Sequence, residues 1–236
     1  LVINGRKSAK KDFVDDCINS LLKDNFAGTM PQLEEPLYFV DFLREPIIDD
    51  ETGDVIDEFP SNYESIPGGL EEMRERGYAL QAKKNDATKG AKVDLVLFED
   101  ALLHLMRVAR ILATDGGSAL LVGIGGSGKQ SLTRLAAFAT GAHTFQVTLT
   151  KTYNLTNFLE DIKELYRIAG LKGKKVCFIF TDADIKDESF LEYINQLLST
   201  GEVTNLFPKD ETDAIIGDMR GIAKKEMGSA FTPDMD

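Results

Sequence analysis

Residues Gly123-Ile124-Gly125-Gly126-Ser127-Gly128-Lys129 match the spacing G-x-x-x-x-G-K, a pattern whose chemistry is the holding of phosphate. Glycines let the backbone curl so that successive N–H groups converge on phosphate oxygens with no Cβ in the way. A helix starting at the lysine adds the partial positive charge of its N-terminus. Lys129 then supplies a mobile full charge for the outer phosphates. The next position usually carries Ser or Thr, whose hydroxyl ligates Mg²⁺, but here it is Gln130. Ser131 lies about 100° further round the helix and cannot simply take over. Either the Gln130 amide oxygen approaches the metal, or the metal is held less well. Binding a nucleotide depends less on that choice than hydrolysing one does.

A phosphate loop needs a carboxylate at the end of a neighbouring strand, to hold Mg²⁺ through its water shell. The apolar run Val176-Cys177-Phe178-Ile179-Phe180, followed by Thr181 and Asp182, fits. Where a hydrolytic enzyme would place a water-activating Glu, the chain has Ala183. Asp184 is one residue late and one methylene short, and strand alternation turns it away from the expected direction. Glu188 is further still. Asp184 and Glu188 are therefore weak candidates for a base. Together with Asp187 they also read as N-cap and first-turn acids of the following helix, favourable with its dipole. The sequence predicts slow or absent hydrolysis.

The elements that must position these residues alternate. Ala119–Val122 reads as a buried strand, and after the glycine loop comes a helix from about Lys129 to Thr140. A strand at Thr144–Leu149, a helix at Leu155–Ala169, the strand at Val176–Phe180 and a helix at Glu188–Leu198 follow. Strands apolar on both sides, alternating with helices, predict a three-layer α/β core with a parallel sheet flanked by helices. A last helix is expected over 212–227.

Upstream, residues 93–113 read as one amphipathic helix, with Leu95, Phe98, Leu102, Leu105, Met106, Ala109 and Leu112 on a broad stripe. His104 beside that stripe reads as a packed or rim histidine. A charged helix is expected over Leu70–Lys84, and another amphipathic one over 8–24. Pro36–Leu43 is strand-like or a packed loop. From Asp49 to Glu58 six of ten residues are acidic, and the run reads as a solvated loop without the spacing of a calcium site.

The 236 residues carry 27 Lys and Arg against 39 Asp and Glu, a formal charge of −12, with 43% hydrophobic residues. That supports one or two ordinary cores and runs against nucleic acid as the main partner, because phosphate neutralisation needs a basic face. Cys17 and Cys177 are too few for a disulfide framework and point to a reducing compartment. No apolar run reaches the roughly 18 residues of a membrane span. The absence of an initiator Met suggests a piece of something longer, an intracellular soluble one.

Gly123–Leu135 (GIGGSGKQSLTRL), Thr144–Asn154 (TFQVTLTKTYN) and Ile179–Phe207 (IFTDADIKDESFLEYINQLLSTGEVTNLF) resemble the fourth AAA+ module of axonemal dynein heavy chains. Pro36–Phe42 and Met106–Leu112 fit the same module, and the block after Asp182 is its most specific part. The resemblance covers about residues 36–230. It implies the tail of a preceding module at 1–30, N-terminal loops of the module at 31–92 and a P-loop AAA+ core at 93–236, partial before the last strands and lid. Such a piece would leave an unfinished sheet edge.

It also implies a regulatory module that binds ATP or ADP with Mg²⁺, within an ATP-driven microtubule motor. Gly123 to Gln130 and Ser131 would meet the nucleotide, Asp182 the metal side, and Leu37, Tyr38, Phe39 and Val40 the adenine. Partners would be neighbouring AAA+ modules, other dynein chains, and microtubules through a stalk outside this chain, in the axoneme of a cilium or flagellum; no membrane or nucleic acid is implied. Two other readings of the same residues stand beside this one. The chain could be a self-sufficient P-loop NTPase using Asp184 or Glu188, or a structural ring spacer whose loop binds nothing.

Overall fold

The computed structural model describes residues 17, 20–21, 23–25, 39–41, 47–49, 52–53, 55–57, 63–66, 68–88 and 92–227. They fall into two compact units, 1–141 and 142–236. Of the predicted helix at 8–24, residues 17, 20, 21 and 23–25 are described and helical. The rest of it lies outside the described residues, as do Leu37, Tyr38 and 58–62.

The first unit is built on three helices: α1 (Gly69–Ala87), α2 (Glu99–Ala113) and α3 (Lys129–Ala139). α2 packs along α3, and α1 packs against both. Leu102, Leu105, Met106, Val108 and Ala109 of α2 meet Leu132, Leu135 and Ala136 of α3 in one core that also takes in Met73 and Leu97. Two short antiparallel pairs precede them. β1 (Phe39–Val40) pairs with β4 (Glu64–Ser65), and β2 (Ile47–Ile48) with β3 (Val55–Asp57). The second pair corrects the expectation of a plain acidic loop at 49–58. The backbone turns there because the Gly53 N–H bonds the Asp49 carbonyl at 2.8 Å and Gly53 adopts φ 73°, a region open to glycine. The Asp49 carboxylate also accepts from the Thr52 N–H at 3.0 Å.

The helix predicted from residue 93 begins only at Glu99. Residues 92–98 are extended, and their alternation is that of a strand: Val93 and Leu97 are buried, whereas Val96 and Phe98 are exposed. The backbone partners come from a helix rather than from another strand. Along one stripe of α1, Arg74 Nε donates to the Leu97 carbonyl (3.1 Å), and Tyr78 Oη accepts from the Leu97 N–H (3.2 Å). Gln81 Oε1 accepts from the Leu95 N–H (3.1 Å), and Asn85 exchanges both bonds with Val93 (2.7 and 2.8 Å). The steps of four, three and four residues place these side chains on one helix face. They satisfy the polar groups that an α-helix would otherwise have satisfied internally.

Ala119–Val122, expected as a buried strand, is a second correction. Among the described residues it contributes only an isolated bridge at Leu120, and the side chains of Leu120 and Val122 are exposed. Without a ladder of neighbours to cover them, apolar side chains that belong inside a sheet face outward.

The second unit carries the parallel pair β5 (His143–Phe145) and β6 (Val176–Phe178), with Thr144 opposite Cys177. The ladder is one residue longer at each end, through His143 N–H to the Lys175 carbonyl and Ile179 N–H to the Phe145 carbonyl. Helix α4 (Leu155–Gly170) starts with a reciprocal cap between Asn154 and Asn157, the arrangement that satisfies two orphan N–H groups at once. α5 (Ser189–Thr200) ends at Gly201 in the left-handed conformation. Between α4, α5 and β6, Phe158 and Phe190 stack with ring centroids 4.4 Å apart, and Phe180 leans on Phe158 at 5.9 Å. α6 (Lys209–Met227) is tied down near its start: Glu211 accepts from Lys163 at 2.9 Å and Arg167 at 3.0 Å. No helix among the described residues is long and apolar enough to cross a membrane.

The double bond between Asn85 and buried Val93 makes a direct prediction. Asn85→Ala orphans one buried N–H and one buried carbonyl and should lower the unfolding free energy by about 2–3 kcal/mol. Gln81→Ala removes one bond and should cost about half as much, both read by urea denaturation.

Candidate phosphate loop and acidic turn

The loop 123–128 stands at the N-terminus of α3, and two of its glycines are required by geometry. Gly126 (φ 75°) and Gly128 (φ 78°) occupy the left-handed region, which L side chains enter only at a cost. Gly128 is also the N-cap, and a Cβ there would sit 3.0 Å from Leu95 Cδ2. The extended segment 92–98 thus reaches the loop through Leu95. The alternation of Val93, Leu95 and Leu97 is the sequence signal for that residue, hidden when the segment is read as part of a helix.

Lys129 folds back over the loop. Its ammonium donates to the Gly123 carbonyl at 2.9 Å, the Ile124 carbonyl at 2.6 Å and Ser127 Oγ at 3.2 Å. A Cβ on Gly123 would lie 3.7 Å from both the ammonium and Ser127 Oγ, while Gly125 and Gly126 face open space. The result is a glycine-rich loop with one cation held against its carbonyls. Gly123, Ile124, Gly125, Gly126 and Ser127 are exposed, so a ligand can reach them. The first hydrogen bond of α3, Leu132 N–H to the Gly128 carbonyl at 2.8 Å, fixes the loop to the helix. Gly123 to Lys129 thus lie together at the head of α3.

Gln130 is exposed, and its Oε1 accepts from the Arg134 guanidinium one turn on, at 3.3 Å. Ser131 is half-buried one position further round. An oxygen that already faces a guanidinium is a poor ligand for a second cation, so the donor set on α3 fits Mg²⁺ weakly. Phe39 of the expected adenine side is exposed, whereas Val40 is buried with Ile66, Met73 and Leu97.

In the second unit, Asp182 opens a single turn of 3-10 helix, Asp182–Asp184, four residues beyond the end of β6. Its carboxylate is exposed and of the hard-oxygen type that Mg²⁺ prefers. Among the described residues no group of three or more His, Cys, Asp or Glu forms a metal cluster. Asp184 points inward instead and is 5% exposed. One of its oxygens accepts both the Thr181 N–H and the Thr181 hydroxyl at 2.8 Å. Burial first, then the 2.5 Å bond from the Tyr153 hydroxyl to Asp161, and last the Asp184 charge push the Tyr153 phenol above its ordinary pKa. The Ser189 hydroxyl first, and the Ser189 N–H donating at 2.8 Å second, hold the Asp187 carboxyl below the usual range. Glu188 is exposed at the head of α5. On β6, burial pushes the Cys177 thiol up to about 11, leaving it inert near neutrality.

A family model of the P-loop containing dynein motor region D4 matches residues 93–234. The chain belongs to that family. It is 52% identical over 217 residues, 92% of its length, to the dynein gamma chain of the flagellar outer arm of Chlamydomonas reinhardtii. It is 47% identical over 232 residues, 95% of its length, to dynein axonemal heavy chain 5 of Rattus norvegicus. Over 197 residues, 83% of its length, it is 50% identical to dynein axonemal heavy chain 8 of Homo sapiens. The chain spans 5%, 7% and 4% of these three relatives.

The position of Asp184 predicts a structural phenotype. Asp184→Ala leaves the Thr181 N–H and hydroxyl without their acceptor and should lower the unfolding free energy by about 1–3 kcal/mol. Asp184→Asn, which keeps an oxygen there, should lose less than half of that in the same denaturation experiment.

Proposed function

We propose that this dynein D4 segment binds ATP or ADP at Gly123–Ser131 and uses that binding to regulate a motor rather than to drive it by turnover. The observation that carries the reading is the Lys129 ammonium, held by the Gly123 and Ile124 carbonyls over an exposed loop in which Gly125 and Gly126 face open space. Phosphate oxygens are stronger acceptors for an ammonium than peptide carbonyls are. A nucleotide entering the loop would therefore take over the cation while the N–H groups and the α3 terminus meet its remaining oxygens.

Weak hydrolysis follows from what stands beside Asp182. Ala183 offers no base, and the Asp184 carboxylate is buried and engaged by Thr181. Mg²⁺, when bound with the nucleotide, would neutralise phosphate charge. Asp182 is the residue to hold it through water, with Gln130 a poor second. Residues 93–236 would be the nucleotide-binding core and 31–92 its lead-in, with 1–30 the end of a preceding module and Phe39 on the adenine side.

Binding can shift a ring only if the liganded and free states favour different arrangements of neighbouring modules. The relatives' names place them in axonemes and flagellar outer arms. On that basis the proposal extends to a cilium or flagellum, to neighbouring AAA+ modules and other dynein chains as partners, and to microtubules contacted elsewhere in the parent protein.

Titration of ATP and ADP, with and without Mg²⁺, into the chain and its Lys129→Ala variant tests this reading. Binding should fall about 10- to 100-fold in the variant, the loss of one charge-assisted contact set. Turnover should be negligible throughout, and Mg²⁺ should change affinity little. Equal affinity in the variant would leave the spacer reading standing, and steady turnover lost in Asp184→Ala or Glu188→Ala would favour a self-sufficient NTPase.

A further inference from the structure

The turn between α4 and β6 reads Lys172-Gly173-Lys174-Lys175, a basic run in an acidic chain. All four residues are exposed. Backbone bonds hold the turn at both ends. The Lys172 N–H donates to the Arg167 carbonyl and the Lys174 N–H to the Ile168 carbonyl, each at 3.3 Å, and the Lys175 carbonyl accepts from the His143 N–H at 2.7 Å. Gly173 reverses the chain between them at φ 58°. Lys172 stands just past the C-terminal end of α4, where the helix dipole favours a cation, and it meets Glu164 at 3.5 Å. Neither reason reaches the other two lysines. The dipole's effect fades within a turn, and the ammoniums of Lys174 and Lys175 have no carboxylate partner among the described residues.

We propose that the turn 172–175 is a docking surface for a short acidic segment of a protein, a run of several Asp or Glu residues. Successive Cα atoms are about 3.8 Å apart, so the three lysines lie within about 11 Å of chain. That is close to the screening length at physiological ionic strength, and their fields add. A short acidic segment meets only this local field. A nucleic acid or an anionic membrane extends over many screening lengths and would also meet the rest of a chain whose formal charge is −12. Because the backbone bonds already fix the turn, little order has to be created on docking. The surface stands at the start of β6, whereas Asp182 follows its far end, so it does not depend on the nucleotide reading.

The test is fluorescence anisotropy of a labelled hexaglutamate peptide titrated with the chain at low ionic strength, beside a hexaglutamine control. The hexaglutamate should bind and the control should not. Lys174→Gln with Lys175→Gln should weaken binding about tenfold, and Lys172→Gln about two- to threefold, as expected of exposed charge contacts. Lys129→Ala should bind the peptide as the parent does. No binding by the parent, equal affinity in the double variant, or a loss confined to Lys129→Ala would overturn the proposal. Tighter binding of duplex DNA or phosphatidylserine vesicles through the same lysines would assign the turn to a polyanion and overturn it as well.

Discussion

The contact on which the candidate site depends is that of one ammonium with its own loop. Lys129 reaches back from the first turn of α3 to two carbonyls and a hydroxyl of the loop that precedes it. That closure is possible because Gly126 and Gly128 turn through left-handed conformations and no Cβ intrudes at Gly123 or Gly125. It also fixes the loop's shape before any ligand arrives. Two carbonyls and a hydroxyl that would otherwise sample many directions are held by one ammonium, so less order has to be created on binding.

The rest of the first unit serves that closure. α3 is anchored through Leu132, Leu135 and Ala136 in the same core as α2. Segment 92–98 brings Leu95 under Gly128, and it can be extended there only because Arg74, Tyr78, Gln81 and Asn85 supply its hydrogen bonds from α1. A change on α1 can thus reach the loop through two layers of contact. The second unit positions its acids differently. The turn at Asp182–Asp184 divides two neighbouring carboxylates into an exposed one and a buried one. The buried one closes the turn that presents the other.

Much of this was legible in the sequence where one interaction decides the outcome. The glycine pattern requires a curled backbone, and the helix read over Leu155–Ala169 is found at Leu155–Gly170. The acids after β6 include Asp187 at the head of α5, as capping chemistry leads one to expect. The family resemblance carried by the blocks at 123–135 and 179–207 agrees with the match to the D4 region. The misreadings occur where tertiary contacts overrule local pattern. Apolar spacing at 93–98 is compatible with a helix and a strand alike, and the side chains of α1 decide for the strand-like form. Ala119–Val122 has a strand's composition, but composition does not provide a ladder partner. The hairpin around Gly53 was masked by its carboxylates, whose charge says solvated without saying straight.

The central claim is that Gly123–Ser131 is a preformed phosphate cradle whose lysine changes partners when nucleotide binds. Amide hydrogen exchange along the chain, with and without saturating ADP, tests it most directly. The account predicts slowed exchange at residues 125–131 on adding ADP, with the N–H groups of 92–98 already protected and unchanged. Unaltered exchange at 125–131, with ADP bound, would contradict it.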